Sequence, residues 1–229
     1  MGISQETSYG TLVDERDKKT YKTVVIGSQI WMARNLNYRY KRNEQSSDLD
    51  SMSFCYDNDP ANCNSYGRLY TWAAAMDSAG KFSTNGAECG FGRTCSPTYP
   101  VRGVCPEGWH LPTKAEFDTL LARANAGQYN ADLILKSTSG WNNFSNRSGN
   151  GSDAYAFSAF PAGYRDLEFS GKTRYNVYYQ KGDYAYFWSS TEDGEEQANG
   201  MRLSVTNVGS RGYDKDFKVK GFSVRCVKD

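Results

Sequence analysis

The 229-residue chain holds a single histidine, His110, and that scarcity removes several chemistries at once. One histidine cannot complete a Cys/His zinc set, and none of the six cysteines forms a C-x-x-C pair. There is no G-x-S-x-G elbow, no phosphate-binding loop and no dinucleotide fingerprint. Apolar runs such as TVVIG and TWAAAM are far too short to span a bilayer. Charge of one sign is lacking too, with 27 Lys and Arg against 26 Asp and Glu. That balance offers no concentrated basic surface for nucleic acid or an anionic membrane. The opening MGISQETS lacks the basic and apolar regions of a signal peptide, so an exported protein would have its signal outside this sequence. Residues 1–9 are read as a disordered leader and 10–229 as one domain.

Aromatics, by contrast, are plentiful: 17 Tyr, 11 Phe and 5 Trp in a chain of mean hydropathy −0.72. Disordered polar chains are poor in such residues, so this one folds. Six cysteines at irregular spacing favour disulfides, and hence an oxidising compartment, over free thiols or metal. Cys55 and Cys63 close the short polar loop CYDNDPANC and would staple it, and Cys89 with Cys95 would form a second local staple. Asp57, Asn58, Asp59 and Asn62 invite a calcium reading. The EF-hand glycine and final acid are missing, so an Asx-built turn is expected and no cofactor or metal is assigned.

Along the chain, GTLVDERDKKTYKTVVIGSQIWMARNLNY predicts a meander of about three short strands, followed by the polar loop RYKRNEQSSDLDSMS. In NSYGRLYTWAAAMDSAG, the spacing of Leu69, Trp72, Ala73 and Met76 predicts a helix closed by Gly80. A clearer helix spans Thr113 to Ala126. Thr113 and Glu116 form a capping box, Phe117, Leu120, Leu121 and Ala124 share a face, and Gly127 follows. His110 sits in the extended lead-in and reads as a packing residue. The C-terminal half is strand-like from AYAFSAFPAGYRD to KGFSVRCVKD. Alternation in GMRLSVT buries Met201, Leu203 and Val205, and that in GFSVRCV points Cys226 inward and Arg225 away. Ser189, Ser190 and Thr191 lie in a strand, and Glu192, Asp193, Glu195 and Glu196 read as a solvated turn. No catalytic constellation emerges.

Several phrases in this order, among them GTLVDERDKKTYKTVVIGSQIWMARNLNY, YGRLYTWAAAMDSA, GVCPEGWHLPTKAEFDTLL, DAYAFSAFPAGYR, YFWSSTED and KGFSVRCVK, resemble the Fibrobacter succinogenes major paralogous domain. The resemblance runs from about Gly10 to Lys228. The WHLPT-x-x-E-F and GFSVRCV segments are also similar to the formylglycine-generating branch of the C-type-lectin-like fold. This implies an α+β domain, two helices flanking twisted antiparallel sheets, with the first and last strands as neighbours. It also implies a Cys105–Cys226 bridge, whose closed loop would be worth roughly 4–5 kcal/mol by chain entropy. The branch's copper-binding cysteine pair is missing, as are the three histidines of related sulfoxide synthases.

The implied function is a non-catalytic, secreted or surface-anchored bacterial domain, an outer-membrane lipoprotein by family habit. It would bind extracellular polysaccharide or a surface protein through its C-terminal half. That face would carry Tyr184, Tyr186, Trp188, Asn199, Arg202, Ser204, Asn207, Arg211 and Tyr213, aromatic and polar types suited to sugar stacking or a protein hot spot. An enzyme or enzyme accessory would instead show metal-dependent turnover. A receptor diversified by a retroelement would show sibling copies that differ only at these outward positions.

Overall fold

The computed structural model of the protein describes residues 9–41, 52–125, 130–206 and 213–229. It opens on the expected meander: β1 (Tyr9–Asp14) pairs with β2 (Lys19–Ile26), and β2 with β3 (Gln29–Met32), all antiparallel. Tyr9, assigned above to the leader, already stands opposite Val24; residues 1–8 lie outside the described residues. Most of the polar loop, residues 42–51, lies outside them too. After β4 (Ser53–Phe54), the CYDNDPANC loop turns through left-handed Asp57 and Asn58. It then starts a helix that the Asx-turn reading missed, α1 (Pro60–Tyr66). Asp59 caps it by accepting from the Ala61 amide at 2.9 Å, and Pro60 stands at the first helical position, where its missing N–H costs nothing.

The helix expected around residues 64–80 is corrected. Residues 64–66 end α1, Leu69–Thr71 form strand β5, paired with β4, and the helix resumes only as α2 (Trp72–Ala75). Every residue from Leu69 to Met76 is buried, and a short apolar run that is covered all round fits either period. After β6 (Trp109–His110) comes α3 (Lys114–Asn125), with the predicted capping box in place. The Glu116 amide donates to Thr113 Oγ1 at 3.2 Å and the Thr113 amide to Glu116 Oε2 at 2.8 Å. Its predicted end at Ala126 and Gly127 lies outside the described residues. The remaining elements are α4 (Ala131–Leu135), the small hairpin β7 (Asn143–Phe144) and β8 (Arg147–Ser148), and β9 (Tyr164–Ser170) with β10 (Thr173–Tyr179). Then follow β11 (Tyr184–Asp193), β12 (Gln197–Ser204), β13 (Tyr213–Phe217), β14 (Gly221–Phe222) and β15 (Val227–Lys228). Residues 154–162, expected to be strand, form a loop instead; Ala156 and Ser158 within it, and Asp153 just before it, are left-handed.

The class is therefore α+β, and mostly antiparallel β. α3 has twelve residues and the other described α-helices four to seven, so among the described residues only one helix is substantial, not the two expected. The first sheet runs β1-β2-β3-β15-β6, so the first and last strands share a sheet but are not the neighbours the resemblance implied: β15 lies against β3, two strands in from β1. The second runs β10-β9-β14-β5-β4 and the third β11-β12-β13. Three disulfides close as expected: Cys55–Cys63, Cys89–Cys95 and Cys105–Cys226. No described helix is long and apolar enough to cross a membrane.

Two cores lie on either side of the closing segment. One gathers Trp72, Trp188, Phe222 and the Cys105–Cys226 bridge; the other gathers Trp31, Phe117, Phe157, Phe187, Met201 and Leu203. Val224 and Cys226 point into the first. Arg225 does not face solvent as alternation suggested; it is fully buried against the rings of Phe157 (4.6 Å) and Phe187 (5.5 Å). Its guanidinium donates to Asn35 Oδ1 (2.6 Å) and to the carbonyls of Met32 (3.1 Å), Phe157 and Ser158 (2.6 Å). Burial lowers its pKa to about 9, and those acceptors let the cation stay.

Candidate binding face

β11 and β12 set the geometry of the expected binding face. Their register puts Tyr184 opposite Ser204 and Tyr186 opposite Arg202, so alternate side chains emerge together. Met201, Leu203 and Val205 are buried while Arg202, Ser204 and Thr206 are half-exposed, as the period of two requires. The Arg202 guanidinium lies over the half-buried Tyr184 ring at 5.6 Å. Tyr186 is 6% exposed, stacked between Tyr184 (5.7 Å) and Phe222 (4.8 Å), and its hydroxyl donates to Gln180 Oε1 at 2.6 Å.

Trp188 leaves the face altogether. It is fully buried, stacked on Phe222 at 4.2 Å, and its Nε1–H donates to the Tyr70 carbonyl at 2.8 Å. β11 is covered on both sides from Ala185 to Ser190, so alternation there does not separate solvent from core. Asn199 has a structural task as well. The β11–β12 register shifts between Trp188 and Glu192, and the Asn199 amide donates to the Thr191 (3.3 Å) and Glu192 (3.4 Å) carbonyls that the shift frees. Tyr213 pairs with Met201 on the neighbouring strand, while Asn207 and Arg211 lie outside the described residues.

The rest of the face comes from a hairpin that the sequence reading passed over. Single bridges Gly163↔Ala185 and Phe187↔Ser223 attach β11 to the second sheet, bringing Tyr184 and Tyr186 beside β9 and β10. Gly163 makes the junction possible: its φ is +63°, and a Cβ there would lie 2.1 Å from the Tyr179 carbonyl. Tyr164 then meets Tyr179 at 5.5 Å and Tyr186 at 5.4 Å. Lys220 lies over the Tyr164 ring at 4.8 Å and is paired with Asp216 (3.0 Å) and Asp166 (3.7 Å). Glu168 accepts from the hydroxyls of Tyr175 (3.2 Å) and Tyr179. The hydrogen bond to this carboxylate pushes the Tyr179 phenol up to about 12, so it stays a donor at neutral pH. The signal in the sequence was the pair of alternating runs YRDLEFS and TRYNVYY around the Ser170-Gly171-Lys172 turn.

The opposite face of this hairpin docks on the first staple. The Tyr178 ring lies 5.2 Å from Tyr56, its hydroxyl donates to Asn58 Oδ1 at 2.7 Å, and Arg165 is buried over Phe54 at 4.5 Å. The Cys55–Cys63 bridge thus fixes the loop on which the tyrosine-bearing hairpin rests.

His110 is not part of this face. It is 7% exposed, with Nδ1 2.7 Å from Asp229 Oδ1 and Nε2 2.8 Å from Glu116 Oε1. Burial opposes its charge, but the two carboxylates outweigh burial and raise its pKa. Both ring nitrogens are committed to tying β6 to the α3 cap and to Asp229. Glu192, expected in a solvated turn, instead meets the buried Lys218 ammonium, which also donates to the carbonyls of Gly90 (3.2 Å), Arg93 (2.9 Å) and Glu195 (3.0 Å). Ser189 and Ser190 are buried.

These features define a disulfide-stapled, mostly antiparallel domain with an open tyrosine-rich face. A family model, the Fibrobacter succinogenes major domain, matches residues 24–228, and the chain belongs to that family. No curated protein and no solved structure matches it.

Proposed function

We propose that the protein is a non-catalytic, exported bacterial binding domain that recognises a glycan or a surface protein through this tyrosine face. One observation carries the reading: Tyr164, Tyr179 and Tyr184, from three separate strands, are gathered half-exposed on one side with Arg202 and Lys220 among them. Rings offer flat apolar surface for a sugar or an apolar side chain, and neutral phenols with flanking cations supply directional hydrogen bonds. Three disulfides suit an oxidising, extracytoplasmic setting, and surface tethering belongs to the same reading. A C-type-lectin-like relationship is part of it too, supported by the pairing of β3 with β15 and by the Cys105–Cys226 bridge.

A glycan array combined with a surface-protein pulldown identifies the ligand. Tyr179→Ala and Tyr184→Ala should then weaken binding by roughly five- to thirty-fold. Glu107→Ala, an exposed change elsewhere, should leave it within error. Affinity unchanged in both tyrosine variants, or turnover on the same panel, would sink the reading.

A further inference from the structure

A concave site lies away from the tyrosine face. Where β1, β2 and β3 run past the second core, a cleft of about 810 Å³ opens against the 153–160 loop. Its floor is Thr11, Thr20, Lys22 and Ala33, and its far wall is Asp153, Ser158 and Phe160. The Ala33 amide donates to the Lys22 carbonyl at 2.8 Å, which fixes Arg34 one residue beyond that rung.

Two properties distinguish this cleft. First, Lys22 and Arg34 are exposed cations, and the side chain of neither forms a hydrogen bond or ion pair with any described residue. Among the described residues, the Arg34 guanidinium lies over the Phe160 ring, 5.5 Å away. Unpaired cations facing one concavity focus a positive field there. The single acid in the wall, Asp153, is already engaged: it accepts from the Ser158 amide at 2.7 Å and from the Ser158 hydroxyl. Second, the wall is held in place. Asp153, Ala156 and Ser158 have φ of 50°, 52° and 52°, and non-glycine residues keep such values only when their surroundings enforce them. The buried Arg225 does so from below by bonding the Phe157 and Ser158 carbonyls.

From this geometry we infer a second binding site, for an acidic sugar, in which Lys22 and Arg34 hold the anionic group. The volume exceeds what a bare inorganic anion fills and suits one or two sugar rings. Hydroxyls of Thr11, Thr20 and Ser158 line it, with the rings of Tyr9 and Phe160, the mixture of polar and flat surface that sugars use. The inference does not rest on the tyrosine face. A uronate carboxylate and a sulfate ester present the same chemistry to the two cations.

The test is calorimetric titration of the whole chain with a galacturonate tetramer, a sulfated galactan tetramer and the neutral galactan tetramer. Binding of either acidic probe but not the neutral one, weakening as ionic strength rises, is the expected result, and the stronger of the two names the source. Arg34→Ala and Lys22→Ala should each weaken it about tenfold or more with unfolding midpoints unchanged, since both side chains are exposed. Equal binding of the neutral probe, no binding of any probe, or loss through Tyr179→Ala but not Arg34→Ala would overturn it.

Discussion

On the tyrosine face, Lys220 is shared between Asp216 and Asp166, and Glu168 is bridged by two phenols. In the Arg34 cleft, Lys22 and Arg34 have no such partners among the described residues. On the first surface these charges are paired with one another; the second is concave and carries surplus charge. A neutralised aromatic surface must draw affinity from ring contact, which salt barely touches, whereas unpaired cations act through a field that salt screens. One small domain thus displays two differently prepared surfaces. The same closing segment supports both, Phe222 beneath the tyrosines and Arg225 beneath the cleft wall.

That comparison can be broken at several points. The largest effect is expected from Trp188→Ala, which should cost about 3–5 kcal/mol in urea unfolding by opening a cavity and stranding the Tyr70 carbonyl. A loss of under 1 kcal/mol there, with binding abolished, would return Trp188 to the face. Arg225→Met comes next. It removes the donors to four oxygens and should cost on the order of 3 kcal/mol. Limited proteolysis should then cut first within residues 153–160, and an uncut loop would show that the wall stands without Arg225.

A smaller effect is a matter of pH. The folded pKa of His110 is raised, so its contribution is complete below its ordinary value of 6.5 and fades as pH rises through the folded value. Glu116 is lowered: burial resists this, but His110 and Thr113 outweigh burial. Its contribution is present above its ordinary value of 4.5 and is lost as pH falls through the folded one. Unfolding free energy should therefore decline gently above pH 6.5, and His110→Ala should flatten that slope. A slope that survives the substitution would assign it to another group.

Much of this was legible in the chain. The α3 cap is written locally as Thr113 and Glu116, and the two short disulfides join cysteines only 8 and 6 residues apart. What failed was alternation wherever both sides of a strand are covered. Trp188 and Arg225 were placed outward on the assumption that one face of each strand meets water. Both lie where two cores adjoin, and a period of two then separates one interior from another. The Arg34 cleft was invisible for a different reason. Lys22 and Arg34 come from the first meander, and the wall facing them comes from residues 153–160, more than a hundred positions later. Among the expected binding residues, Tyr184, Arg202 and Ser204 emerge where the period put them; Tyr164 and Tyr179 join only through tertiary bridges.

The place of β15 between β3 and β6 bears on how a cell makes this domain. Synthesis proceeds from the N-terminus, yet an inner strand of the first sheet, between β3 and β6, is supplied by residues 227 and 228. Until they arrive, the meander has no inner neighbour, Cys105 has no partner, and both cores lack a wall. A chain that has not yet added the closing segment leaves the apolar partners of Phe222, Val224, Cys226 and Val227 uncovered. The order of the strands thus holds back the burial of both cores until residues 222–227 are in place.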